Sequence, residues 1–315
     1  MTQDQKPHRF SIKDLPSLLA ETGKSWVSDD PWRLSAVVAY YALLSLPGLL
    51  VIIISAVGFI WGEEIVQGRL TGEIGSVVGQ DAAEAVRSII ENAGTGEKST
   101  IATILGIATL LFGATGLFYH LQLSLNDVWQ IKQDPKSDFL RMLLDRAISF
   151  GFVLIVGFLL LVSFVISAAI AALNDFIERS LPDFTVYFVH GLNVVISLGI
   201  ISVLFALIFK LLPDARIRWR TVWLGAIITA VLFTLGKELL SLYFGEADPG
   251  STYGAAGSLV LILLWVSYSC LILLFGAEFT WVFARRYGHG IRPQKHAMIV
   301  KIEKVVTEKE EQKVD

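Results

Sequence analysis

A few residues in this chain combine an ionisable or strongly polar side chain with an apolar neighbourhood. Lys237 and Glu238 stand side by side in LGKELLSLYFGE, His190 and Asn193 lie three apart in VHGLNV, and Glu278 interrupts LLFGAEFT. His120 and Gln122 fall in YHLQLS, and Tyr40 and Tyr41 in AYYALLS. Within a membrane such groups mark a substrate or ion pathway, or else staple helices together by hydrogen bonding. A different chemistry is offered by YGAAGS, where Tyr253, Gly254, Gly257 and Ser258 surround a helix start. Free amides there favour an anion such as a carboxylate or phosphate, with Ser251 or Thr252 as cap, and close helix packing is the alternative reading.

The elements that must position these groups follow from composition. Of 315 residues, 54% are hydrophobic and only 17% charged, and the mean hydropathy is +0.60, values of a membrane chain. No charge occurs from Leu34 to Gly62, Ser99 to Asn126, Ala147 to Asn174, Phe184 to Phe209 or Pro249 to Ala277. Each run exceeds the roughly 20 residues that cross a bilayer core. A further run, Thr221 to Gly245, is interrupted only by Lys237 and Glu238. The expectation is an all-α bundle of six transmembrane helices at 34–61, 100–128, 147–173, 185–210, 220–245 and 256–284. The membrane domain then spans 34–284, with a cytoplasmic N-terminal segment 1–33, an outer loop 62–99 and a charged cytoplasmic tail 285–315.

Orientation follows the distribution of lysine and arginine. Of the 26, only Arg69, Arg87, Lys98 and Arg179 fall on one side and Lys237 within a span, which places both termini in the cytoplasm. The polar residues then sort by depth, at 1.5 Å per residue. His190, Asn193, Lys237 and Glu238 fall roughly 9 to 14 Å below the outer surface, and His120, Gln122 and Glu278 roughly 9 to 12 Å from the inner one. Tyr40 and Tyr41 join the inner layer. Helical side chains lean toward the N-terminus, which turns Lys237 inward and away from the nearer surface.

Flanking elements are also legible. Leu15, Leu18, Leu19 and Trp26 at helical spacing predict a short interfacial helix, with Asp14 as N-cap ahead of Pro16. Asp30 and Pro31 form a second cap and N1 pair launching the first span. Pro47, mid-span, is a candidate kink. In the outer loop DAAEAVRSIIEN sets Ala82, Val86 and Ile89 on one face, a short amphipathic helix that caps the bundle. Ala102 and Gly106, and Gly113 and Gly116, suit close helix packing. The tail beyond Arg292 reads as frayed. Cys270 is the only cysteine, so no intramolecular disulfide forms.

Five segments, AYYALLSLPGLL, HLQLSLNDVW, KLLPDARIRWRTVWLGA, YGAAGSLV and LLFGAEFT, together resemble the YihY/BrkB family over residues 20–290. Two positions depart from its pattern: Leu46 and Pro47 stand for the usual Phe-Pro, and His120 replaces a small or apolar residue. The resemblance implies a six-helix bacterial inner-membrane protein without established chemistry, in a family whose members have been labelled ribonuclease BN and serum-resistance factor. The residues speak against a nuclease. His8, His120, His190, His289 and His296 form no His-x-His or His-x-x-x-His pattern with a carboxylate pair beside them, as metal-assisted hydrolysis would need. There is no GxxxxGK phosphate loop either.

The expectation is therefore a transporter or flippase for an amphipathic or anionic lipid-like substrate, with a non-transporting scaffold or envelope-integrity factor as the alternative and a membrane ribonuclease last. No enzyme activity and no cofactor is expected. Membrane lipids are the expected partners. The basic stretch RRYGHGIRPQK is explained by orientation and anionic lipid rather than nucleic acid, and a homo-oligomer is left open.

Overall fold

The computed structural model describes residues 11–78, 80–94, 116–133, 184–247, 253, 256–288, 290–294 and 297–300, and these are mostly helical. The expected third span and the first half of the second lie outside the described residues, as do Ala102, Gly106 and Gly113. A single 3-10 turn, Ile12–Asp14, leads into α1 (Leu15–Ser28). Asp14 holds the N-cap position but makes no side-chain cap bond. Its carboxylate instead accepts the Ser11 N–H at 3.3 Å. Asp30 then adopts a φ of 53°, a left-handed turn that a short polar side chain tolerates, and pairs with Arg33 at 3.0 Å. This turn reverses the chain into α2 (Pro31–Trp61), which runs unbroken through the exposed Pro47.

The region expected as a loop with one helix contains two, α3 (Glu63–Val78) and α4 (Gln80–Gly94). Gly68, Gly72 and Gly75 make α3 read as a loop, because glycine disfavours helix by about 1 kcal/mol each. Burial of Val66 and Leu70, one helical turn apart, overrides that preference. They pack with Ala82, Val86 and Ile90 of α4 against Leu50 and Ile54 of α2. Phe244, Leu261 and Ile262 complete this cluster, so the pair caps one end of the bundle. The buried face of α4 uses Ile90, while the surroundings of the Ile89 side chain lie outside the described residues.

Residues 116–128 form α5, followed by β1 (Ile131–Gln133), α6 (Phe184–Leu211), β2 (Ala215–Arg216), α7 (Trp219–Ala247), α8 (Gly257–Tyr287), β3 (Arg292–Pro293) and β4 (Ala297–Ile299). Among the described residues three helices contain stretches long and apolar enough to cross a membrane: Val194–Leu211, Trp219–Phe244 and Gly257–Tyr287. Helix α8 packs against α2, α7 and α1, and α6 packs against α7.

The α7–α8 crossing is set by a reciprocal pair of Gly-x-x-x-Thr stretches. Thr229 donates to the Gly225 carbonyl at 2.7 Å and Thr280 to the Gly276 carbonyl at 2.8 Å, which satisfies both buried hydroxyls within their own helices. Each threonine then lies over the glycine of the other helix. A methyl group added to Gly225 would fall 1.9 Å from Thr280 Oγ1, and one on Gly276 would fall 1.7 Å from Thr229 Oγ1. Only residues without a Cβ let the two backbones approach this closely.

The end of the bundle bearing α1 carries a small addition to the all-α expectation. β1 pairs antiparallel with β4, and β2 with β3. Residues just beyond Arg292, expected to fray, are instead held by this pairing, and Val300 N–H donates to Gln130 O at 2.9 Å. Residues 301–315 lie outside the described residues.

Candidate functional site

Helical phase decides what becomes of each polar group. In α7, Val222, Ala226 and Ala230 are buried, and Gly236 meets Tyr268 and Ile272 of α8. Lys237 is turned about 100° from Gly236 and Glu238 about 200°, toward the outside of the bundle. The two side chains are 37% and 66% exposed and pair with each other at 3.4 Å. Exposed Leu235, Leu239, Leu242 and Tyr243 surround them. The inward lean expected for Lys237 therefore gives way to an exposed ion pair on an apolar face. His190 and Asn193 belong to α6, and the surroundings of their side chains lie outside the described residues.

The inner polar residues divide among three places rather than forming one layer. Tyr41 stacks on His120 with ring centroids 4.2 Å apart, and Tyr40 meets Tyr41 edge-on at 5.3 Å. Gly116 admits this arrangement, because a methyl there would lie 2.4 Å from the Tyr41 ring. Tyr40 itself is exposed. Gln122, two residues beyond His120, points to the opposite face of α5.

On that face Gln122 joins Asn126, one turn on, and both donate to Asp214 Oδ2, at 3.2 and 2.9 Å. The Asp214 N–H donates in turn to Asn126 Oδ1 at 2.9 Å, and its carbonyl accepts the Gln294 N–H at 2.9 Å. All of Gln122, Asn126 and Asp214 are buried. Reciprocal bonds of this kind fix a loop to a helix end. Nearby in sequence, buried Trp129 donates its indole N–H to Ala277 O at 3.0 Å, joining the end of α5 to α8.

Glu278 occupies the third place and differs from all the others. Its exposure is 0%, and among the described residues neither Oε1 nor Oε2 accepts a hydrogen bond. Ser25 and Asp29, at the C-terminal turn of α1, lie close enough to act on it, and Arg285 acts on it from its own helix. Helix α1 closes over this carboxyl. Leu18 packs on Phe279 and Val282, Trp26 meets Phe275 edge-on at 6.0 Å, and Ser17 accepts from Arg286 at 3.1 Å. Glu21 pairs with Arg285 and, at 3.6 Å, with Arg286. Arg285 also covers the Trp281 ring at 4.4 Å. The expected interfacial helix is thus docked on protein through its apolar face. Trp26 Nε1 is buried without a partner among the described residues.

At YGAAGS, α8 begins at buried Gly257 with Ala256 as N-cap and no side-chain cap bond. The expected hydroxyl caps, Ser251 and Thr252, lie outside the described residues, as does Gly254. Tyr253 is exposed, Ser258 half-buried, and the Ala256 N–H donates to Tyr253 O at 3.1 Å.

Sequence reasoning missed Asp214, Asn126, Ser25 and Asp29. The spacing of Gln122 and Asn126, four apart on an otherwise apolar helix end, is a usable signal for a buried polar partner. Asp29 was hidden beside the stronger cap signal of Asp30 and Pro31.

Comparison with known proteins places the chain. The UPF0761 membrane protein of Verminephrobacter eiseniae is 30% identical over 179 residues, 56% of this chain and 40% of that protein. One from Alteromonas mediterranea is 26% identical over 244 residues, covering 77% of this chain and 79% of its own length. One from Vibrio cholerae is 24% identical over 224 residues, covering 71% and 70%. No solved structure matches. The family model described as virulence factor BrkB matches residues 23–299, a stretch that holds the α7–α8 crossing, the Asp214 network and Glu278, and the chain belongs to that family.

Proposed function

We propose that this chain moves an amphipathic or anionic lipid-like substrate across a bacterial inner membrane, through six spans with both termini in the cytoplasm. The observation that carries this reading is the Lys237–Glu238 pair on the exposed apolar face of α7. Lys237 lies ten residues before the end of α7, about 15 Å along the helix axis. A charge at that depth costs roughly 2.5 to 3.5 kcal/mol on insertion scales and tends to serve a pathway. Here the amine pairs with its neighbour and faces the side of the bundle where lipid tails run. An anionic headgroup moving along this face would exchange Glu238 for its own charge at Lys237, while its tails stay in lipid.

Reconstitution into liposomes with headgroup-labelled anionic lipid tests the reading. The expected result is translocation faster than in protein-free liposomes, and an unchanged rate at high protein density would overturn it. A scaffold is the second reading, supported by the mutually satisfied Gln122, Asn126 and Asp214 bonds, which hold elements together.

A further inference from the structure

We propose that Glu278, Asp29 and Ser25 form a binding site for one monovalent cation, a proton or an alkali ion, sealed beneath α1. The site would give the transport reading an energy source, but it does not rest on that reading.

Glu278 is a carboxyl at 0% exposure whose two oxygens accept no hydrogen bond among the described residues. An isolated buried carboxylate is so costly that it must be neutralised or matched by a cation. Among the described residues Arg285 is the one cation that acts on Glu278, and it does not supply the match. Arg285 stands seven residues along α8, about 10 Å by helical rise, and is already held by Glu21 and stacked on Trp281. The other described groups that act on Glu278 carry oxygen ligands. Asp29 contributes a second carboxylate and Ser25 a hydroxyl. Both sit at the C-terminal end of the 14-residue α1, whose dipole places partial negative charge at that point. Two carboxylates, a hydroxyl and a helix C-terminus converge, and hard oxygen ligands of this kind suit a proton or an alkali cation.

The same geometry explains how the site is closed. Leu18 on Phe279 and Val282, with Glu21 on Arg285 and Arg286, hold α1 across Glu278. A cation between the α1 C-terminus and α8 would strengthen that docking, because it is attracted to both sides of the seam. Its loss would leave two facing carboxylates that repel one another, so α1 docking and cation occupancy are linked.

The test uses the full chain in lipid nanodiscs and reads thermal unfolding by tryptophan fluorescence. One arm compares sodium, potassium and choline chloride at fixed ionic strength and pH. The other varies pH at fixed salt. Wild type is expected to gain Tm with the logarithm of sodium or potassium concentration if an alkali ion is held, or to lose Tm as pH rises if a proton is held. Glu278→Gln and Asp29→Asn, both near-isosteric and neutral, are each expected to remove the response that wild type shows. Persistence of that response in either variant, or no response of wild type in either arm, would overturn the site. The readout needs no substrate, so a failure of lipid transport would leave it standing.

Discussion

The two charged places on the paired helices α7 and α8 make an instructive contrast. Lys237 and Glu238 are exposed, adjacent in sequence and paired with each other, whereas Glu278 is fully buried and accepts no hydrogen bond among the described residues. Counting residues from the helix ends gives a similar distance to a surface for both, though to opposite surfaces, so that distance does not decide which is enclosed. Helical phase does. Gly236 marks the side of α7 that meets α8, and Lys237 and Glu238 are rotated off it. Glu278 lies two residues from Gly276 and Thr280, which puts it on the opposite face of α8 from the α7 crossing, where α1 covers it. Charge on an outer face meets whatever moves past the bundle. Charge beneath α1 meets only what the fold encloses.

The crossing holds α7 against α8, and breaking it should produce the largest effect. Gly276→Leu forces a side chain into the space of Thr229. Overpacking of this kind costs typically 1–3 kcal/mol and more where backbones touch. The variant is expected to lose the monodisperse peak in size-exclusion chromatography, and a wild-type elution profile with unchanged Tm would contradict the clasp.

The Asp214 network should come next. Asn126→Ala takes one donor and one acceptor from buried Asp214 while Gln122 stays in place, at an expected cost of about 1–2 kcal/mol. Chemical denaturation in detergent would show it. The buried seam can be probed more gently by Glu21→Ala, which removes the α1 pairs to Arg285 and Arg286. These are half-exposed, so about 1 kcal/mol is expected, together with faster amide exchange confined to residues 15–28. The smallest stability effect belongs to Lys237→Met, because the side chain lies off the face that meets α8 and Glu238, left without its partner, can take up a proton.

How much of this could be read in advance depended on the length of the signal. Apolar runs of more than twenty residues made α6, α7 and α8 legible as long helices, since only a helix satisfies its own backbone in lipid. Helix α3 was not legible, because Gly68, Gly72 and Gly75 suppress the local preference and only contact with α2 and α4 restores it. The strands, two or three residues each, carry no periodicity that a sequence could reveal. The family resemblance was legible because its segments keep their order, and the family model agrees over residues 23–299. Candidate residues were legible as types but not as partners. Gln122 was found without Asp214, and Glu278 without Ser25 and Asp29, because each partner belongs to another element.

The role proposed for the exposed pair on α7 is to handle substrate rather than to hold the bundle together. The direct test is lipid translocation by reconstituted wild type and Lys237→Met at matched amounts of folded protein. The variant is expected to show a rate lower by about tenfold, equivalent to roughly 1.4 kcal/mol, with Tm nearly unchanged. An unchanged rate, or a loss of rate that tracks a loss of folded protein, would contradict it.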